Sequence, residues 1–296
     1  MNDALFRELV AADGPFPGQE ISAALPVGGG CIHQAFAVDF SSGERVFVKA
    51  GAASVLPMFS VESEGLEALH DHADATTLVV PRPIGAWVLP SGAVLVLPWL
   101  DLGAGDQSAL GRGLAQLHRQ SASASPGRFG WHRDGFIGSG RQPGGWCDRW
   151  GDAFVELRLR PQLKDASRWG LRLADLEPLL EAVAVTLNQL ELQPALVHGD
   201  LWGGNAGCLQ DGRGALYDPA AWWADPEVDL AMTRLFGGFS HSFYAGYNEV
   251  MPSRIEANQR VELYNLYHSL NHANLFGGSY ERQSRDMLKA LARQLL

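Results

Sequence analysis

The sequence predicts an α+β fold of two lobes, on three observations. The first hundred residues carry short alternating apolar runs separated by Gly, Pro and Ser. One stretch of helical spacing interrupts them. Beyond Leu100 the apolar spacing changes from two to three and four. A small β-rich lobe over residues 1–98 and a larger, mainly helical lobe over 99–296 follow from that change. They are connected near 98–104, and the cleft between them is the expected ligand site.

The elements are read in chain order. Ile21–Val27 is strand-like and ends in Gly28-Gly29-Gly30. Ala35–Phe40 follows, and Ser41-Ser42-Gly43 is a turn. In Arg45-Val46-Phe47-Val48-Lys49 the alternation puts Lys49 on one face with Phe47 and Arg45. Met58, Val61, Leu66 and Leu69 give a helix near 57–73. Pro83–Leu89 and Ala93–Leu97 are two more strands about Pro90-Ser91-Gly92. Leu110, Leu114, Leu117 and Ser121 mark a helix, and Leu173 to Leu190 a long amphipathic one. Leu263 to Leu270 and Met287–Leu295 mark two others.

A formal net charge of −10 counts against a general nucleic-acid binder, which needs a basic surface. Cys31, Cys147 and Cys208 are far apart, with no C-x-x-C pair, against a zinc module or a disulfide framework. The first residues lack a basic stretch followed by an apolar run, so no signal peptide is expected. The apolar run Ala93–Leu100 is broken by Pro98 and is too short to span a bilayer. The expectation is a cytoplasmic protein without nucleic-acid or membrane partners, either monomer or homodimer.

The strongest chemical signal is Val197-His198-Gly199-Asp200-Leu201-Trp202-Gly203-Gly204-Asn205. An Asp followed by four residues and an Asn supplies a carboxylate and an oxygen metal ligand on one tight loop. Phosphoryl transfer asks for that combination, because positioning, metal ions and a carboxylate near the acceptor hydroxyl do most of the work. Downstream, Asp211-Gly212 reads as a two-residue hairpin turn with Gln210 facing Arg213. In that register Asn205 faces Asp218, and the two would hold Mg²⁺. Lys49 is placed to neutralise the α/β-phosphates of ATP, and Glu62 on the following helix to hold Lys49. Gly28-Gly29-Gly30 would present backbone N–H groups to phosphate. His268 and His272 are four apart on a helix, but no third metal ligand accompanies them, which favours packing. Trp222-Trp223 either lines a sugar site or packs.

With these residues in place, the chain resembles the fructosamine kinase (ketosamine-3-kinase) family, of protein-kinase-like fold and related to the aminoglycoside phosphotransferases. Leu196–Asn205 looks like its catalytic loop, Tyr217-Asp-Pro-Ala220 its metal segment, and Gly28-Gly-Gly-Cys-Ile32 its phosphate loop. Leu235-Phe-Gly-Gly-Phe239 and Leu270-Asn-His-x-Asn-x-Phe-Gly277 also fit. The resemblance implies ATP- and Mg²⁺-dependent phosphorylation of the 3-hydroxyl of a free or protein-bound ketosamine, in deglycation repair. Carried over, Asp200 is the catalytic carboxylate, Asn205 and Asp218 are metal ligands, and Asp229 and His198 brace the loop. Backbone groups around Pro98, Trp99 and Leu100 would receive adenine. Trp202, Trp222, His272 and Asn274 are the candidate substrate contacts. The chain departs from the family at Pro98, where Glu is common, at His33, where Asn is common, and at Trp222-Trp223-Ala224-Asp225.

Few residues separate Asp218 from the helix expected near Glu227, which leaves no room for a long activation segment. Cys31 lies in the phosphate loop, where a redox brake is a further expectation. Two rival readings remain at this point: a kinase for another metabolite hydroxyl, such as an aminoglycoside or choline, and an inactive nucleotide-binding protein.

Overall fold

Apolar residues in Gln34–Phe40, Arg45–Gly51 and Gly92–Pro98 point to both faces of a sheet, and the chain covers both. The computed structural model describes residues 2–28 and 33–296. Five strands lie in the order Ile21–Pro26, Gln34–Phe40, Arg45–Gly51, Gly92–Pro98 and Gly85–Leu89, and every neighbouring pair is antiparallel. Phe36, Val38, Val46, Val48, Val94 and Val96 pack with Leu5 and Leu9 of an N-terminal helix, Asn2–Leu9. That helix was not anticipated, because eight residues hold barely two turns of apolar spacing.

The other face turns Phe47, Ala93, Leu95 and Leu97 toward Phe59, Leu66 and Leu69 of helix Leu56–His72, the helix expected near 57–73. These side chains belong to the same continuous core as the C-terminal helices. Helix Leu56–His72 therefore fastens the sheet to the rest of the molecule.

Beyond Leu100, helices Ser108–Ser123, Glu177–Asn188, His241–Val250, Ala257–Phe276 and Ser279–Leu295 dominate. The long helix expected from Leu173 is shorter. Leu173–Leu176 forms a 3₁₀ turn, and the α-helix begins at Glu177 with Pro178 in its first turn, where a missing N–H costs nothing. Short strands absent from the sequence reading run between the helices. Gly145–Cys147, Phe129–Trp131, Trp222–Ala224 and Ala195–Val197 make one four-stranded sheet. Three residues are too few to display a period of two. Among the described residues no helix is long and apolar enough to cross a membrane.

Helices Ser108–Ser123 and His241–Val250 approach through paired glycines. A Cβ on Gly111 would stand 2.0 Å from Phe243 O, and one on Gly246 2.2 Å from Ser108 O. Ala ordinarily stabilises a helix interior by up to about 1 kcal/mol over Gly. Here the sign reverses: Gly111→Ala is expected to lower stability by about 1–3 kcal/mol, read by urea denaturation. A midpoint that stays or rises would show that the helices separate freely.

Candidate active site

The segment that carries Asp200 leaves the edge strand Ala195–Val197 and turns at Gly199, whose φ of +80° suits glycine. A Cβ there would meet Ala220 O at 2.1 Å, so the loop and the segment after Asp218 touch through backbone. The two oxygens of buried Asp229 accept the N–H groups of His198 at 2.7 Å and Gly199 at 2.8 Å. His118 Nε2 donates to the same carboxylate at 3.1 Å. Burial works to raise the Asp229 pKa, but His118 and the backbone donors hold it below the ordinary carboxylate range. His198 is buried, and burial lowers its pKa, so the ring is neutral. Its Nε2 donates to Tyr217 O at 3.0 Å, and its Nδ1 accepts the Asp200 N–H at 3.3 Å.

The hairpin that carries the metal candidates differs in register from the sequence expectation. Its loop spans three residues, because Gly212 sits at φ +87° and Leu209 N–H bonds Arg213 O. Asn205 consequently faces Tyr217, whose N–H reaches Asn205 O at 3.1 Å. Asp218 follows in a left-handed conformation, φ +60°, uncommon for a residue other than glycine. That twist still brings Asp218 to Asn205: Asn205 Nδ2 donates to Asp200 O at 2.9 Å, to Asp200 Oδ2 at 3.2 Å and to Asp218 O at 3.3 Å.

Lys49 closes the group from the sheet side. Its Nζ donates to Glu62 Oε1 and to Asp218 Oδ1, each at 2.7 Å. Burial opposes its charge, but the two carboxylates outweigh burial and raise the ammonium's pKa above its ordinary value. Burial and the neighbouring Asp218 push Asp200 up to about 7. Lys49, Glu62, Asp200, Asn205 and Asp218 all line one cleft of about 670 Å³. Gly28, Pro98, Trp99 and Leu100 line it as well. So does His33, its ring 4.9 Å from Phe59, with its pKa lowered by burial and by Lys49.

On the helical side the cleft is walled by aromatic rings. Trp202 lies 6.5 Å from Phe236, and His272 lies 4.8 Å from Phe236 and 5.2 Å from Tyr280. Gly204 gives Trp202 room, since a Cβ there would stand 2.3 Å from the indole. Two candidate substrate residues fall elsewhere. Trp222 pairs with Val197 in the inner sheet, is 2% exposed, and stacks on the guanidinium of Arg158 at 3.6 Å, so it packs in the core. Asn274 turns away from the cleft to Gln162 and Trp169. Gly29, Gly30 and Cys31 lie outside the described residues. His118 has no sequence signal, being a lone His in a helix, and Asn271 lies within the Leu270–Gly277 motif without having been singled out as a site residue.

Among the described residues no cluster of three or more His, Cys, Asp or Glu side chains could hold a metal ion. The donors present still fit Mg²⁺. The Asn205 amide spends its N–H groups on Asp200 and Asp218, which leaves Oδ1 free, and Asp218 keeps Oδ2 beyond Lys49. Two hard oxygens suit an ion that retains waters and phosphate oxygens.

The Asp229 brace gives a stability prediction. A folded pKa below the unfolded value contributes stability at neutral pH that is lost as pH falls below about 3.9 toward the folded pKa. Asp229→Asn would turn an N–H₂ toward backbone donors and is expected to cost about 3 kcal/mol at pH 7. Urea titrations at pH 7 and pH 3 check it; the difference between variant and wild type should narrow at the lower pH.

Comparison with known proteins agrees with this geometry. The fructosamine kinase family profile matches residues 10–294. A Synechocystis protein named a probable ketoamine kinase is 43% identical over 270 residues, covering 90% of this chain and 89% of its own. An Arabidopsis thaliana protein-ribulosamine 3-kinase is 34% identical over 301 residues, covering 100% of this chain and 90% of its own. A crystal structure from Thermobifida fusca, described as a fructosamine-3-kinase, superposes with a TM-score of 0.81 at 29% identity and covers 99% of both chains. A Lys–Glu pair facing a catalytic-loop carboxylate across one cleft, on a protein-kinase-like fold, is thus what nearly the whole length of the sequence leads to: the chain belongs to the fructosamine kinase family and is a phosphotransferase acting on a hydroxyl group.

Proposed function

We propose that this chain transfers the γ-phosphoryl of ATP to the 3-hydroxyl of a ketosamine, a sugar adduct on an amine. The observation that carries the reading is the Lys49 ammonium shared between Glu62 and Asp218, in the same cleft as Asp200. Residues 1–98 act as the nucleotide lobe and 99–296 as the acceptor lobe. Adenine lies along Pro98–Leu100, and Lys49 meets the α/β-phosphates. Asn205 and Asp218 would hold Mg²⁺, which supplies neutralisation of charge on the transferring group.

Asp200 orients the acceptor. Asn205 occupies its Oδ2, so Oδ1 is left to accept the hydroxyl hydrogen bond. As the oxygen–phosphorus bond forms and the bond to the ADP oxygen breaks, the hydroxyl proton passes to Asp200. A carboxylate poised near 7 can take that proton without being locked in either state. The indole of Trp202 stacks on the adduct. A 3-phosphate makes the adduct prone to break down, which makes the reaction a deglycation step. The relatives named for ketoamines and for protein-bound ribulosamine support this acceptor class.

The test is Mg²⁺-dependent ATP consumption with ribulose-, erythrulose- and fructose-lysine, choline and an aminoglycoside, for wild type and Asp200→Asn. Turnover of a ketosamine, reduced about 10²–10⁴-fold in the variant, is the expected result. Turnover of choline or the aminoglycoside alone would keep the mechanism and overturn the acceptor. ATP binding without turnover of any acceptor would favour a binding protein.

A further inference from the structure

Four polar side chains behind the aromatic wall form a hydrogen-bond chain with one direction. Trp169 Nε1 donates to Asn274 Oδ1 at 2.8 Å. Asn274 Nδ2 donates to Gln162 Oε1 at 2.7 Å and to the Gln162 carbonyl at 2.9 Å. Gln162 Nε2 donates to Asn271 Oδ1 at 3.3 Å. Gln162 and Asn271 are each 3% exposed. Asn271 is the last member, and it lines the cleft that holds Asp200.

An amide by itself can face either way, but an indole N–H only donates. Trp169 therefore fixes Asn274 with its oxygen toward the indole. Asn274 must then present N–H to Gln162, and Gln162 must present N–H to Asn271. Asn271 Oδ1 also lies close to Gly140, where a Cβ would stand 2.5 Å from it. Oδ1 is thus buried on the far side, and Nδ2 has no partner among the described residues.

We infer that Asn271 Nδ2 is a substrate-positioning donor, set by the Trp169–Asn274–Gln162 chain to bond an oxygen of the acceptor sugar beside the reacting hydroxyl. Asn274 thereby acts on the substrate without touching it. A sugar bristles with oxygens that accept, and a buried donor of fixed direction selects one orientation of them. The inference rests on the ketosamine reading only for the identity of the acceptor.

The test is steady-state kinetics with ATP and ribulose-lysine, reading the acceptor and ATP constants separately, with folding checked by circular dichroism. Asn271→Asp keeps the shape and replaces the donor by an oxygen. It is expected to lower kcat/KM for the acceptor about 10–100-fold, with KM for ATP held within about twofold. Asn274→Asp accepts from both neighbours, turning Gln162 and then Asn271 around, so that Asn271 presents Oδ1. A loss in the same direction is expected from this residue outside the cleft. The double variant should be no worse than Asn271→Asp alone. Trp169→Phe removes the anchor and keeps the test alive if Asn274→Asp does not fold; about a 2–5-fold loss for the acceptor is expected.

Unchanged acceptor kinetics in Asn271→Asp, or equal losses for ATP and acceptor, would overturn the inference. Wild-type turnover reports on the ketosamine reading by itself. If wild type phosphorylates another hydroxyl acceptor instead, that acceptor takes the place of ribulose-lysine in the same comparison. Without any turnover, calorimetric binding of the acceptor beside a non-hydrolysable ATP analogue decides the matter by the same ratios.

Discussion

One ammonium group holds the two halves of the site together. Lys49 sits on a sheet strand, Glu62 on the helix behind it, and Asp218 after the catalytic hairpin. A buried charge is tolerated only when paired, so the sheet, helix and hairpin can adopt a single relative placement. Everything else in the cleft is arranged around that point. It sets the separation between the sheet wall of the cleft and Asp200, and it places a positive charge inside the cleft.

A second buried charge braces the loop that carries Asp200 in a different manner. Asp229 touches no ligand-facing atom, yet it accepts the N–H groups that open the loop carrying Asp200. Neutral His198 then links that loop to Tyr217, one residue before Asp218. The left-handed backbone at Asp218 is held by these bonds and by the close approach of Gly199 to Ala220. Local strain of this kind persists where the surroundings over-determine it. The loop's geometry is thus complete in the chain before any ligand arrives.

Much of this was legible in the residues, for identifiable reasons. Lys49, Glu62, Asp200, Asn205 and Asp218 come together because strand alternation, helix spacing and a tight glycine loop each constrain direction locally. The hairpin register was missed by one residue, since Asp211-Gly212 is compatible with both a two-residue loop and a three-residue loop closed by a left-handed glycine. Trp222 and Asn274 were misread as substrate contacts because burial depends on which strand pairs with which. The partners that decide it, Val197 and Gln162, are distant in sequence. His118 left no local trace, and although Asn271 and Asn274 lie in one motif, their connection through Gln162 is a product of tertiary packing. The family resemblance, in contrast, was carried by short glycine-rich loops whose spacing is itself the function.

The shared core beneath the sheet has a thermodynamic consequence. Helix Leu56–His72 contributes Phe59, Leu66 and Leu69 to the apolar interior that also contains the C-terminal helices. The sheet has no interior wholly its own on that side, so melting it exposes part of the other lobe's core. A ligand that holds the sheet in place therefore also keeps apolar cover on the C-terminal helices, and its binding free energy protects both.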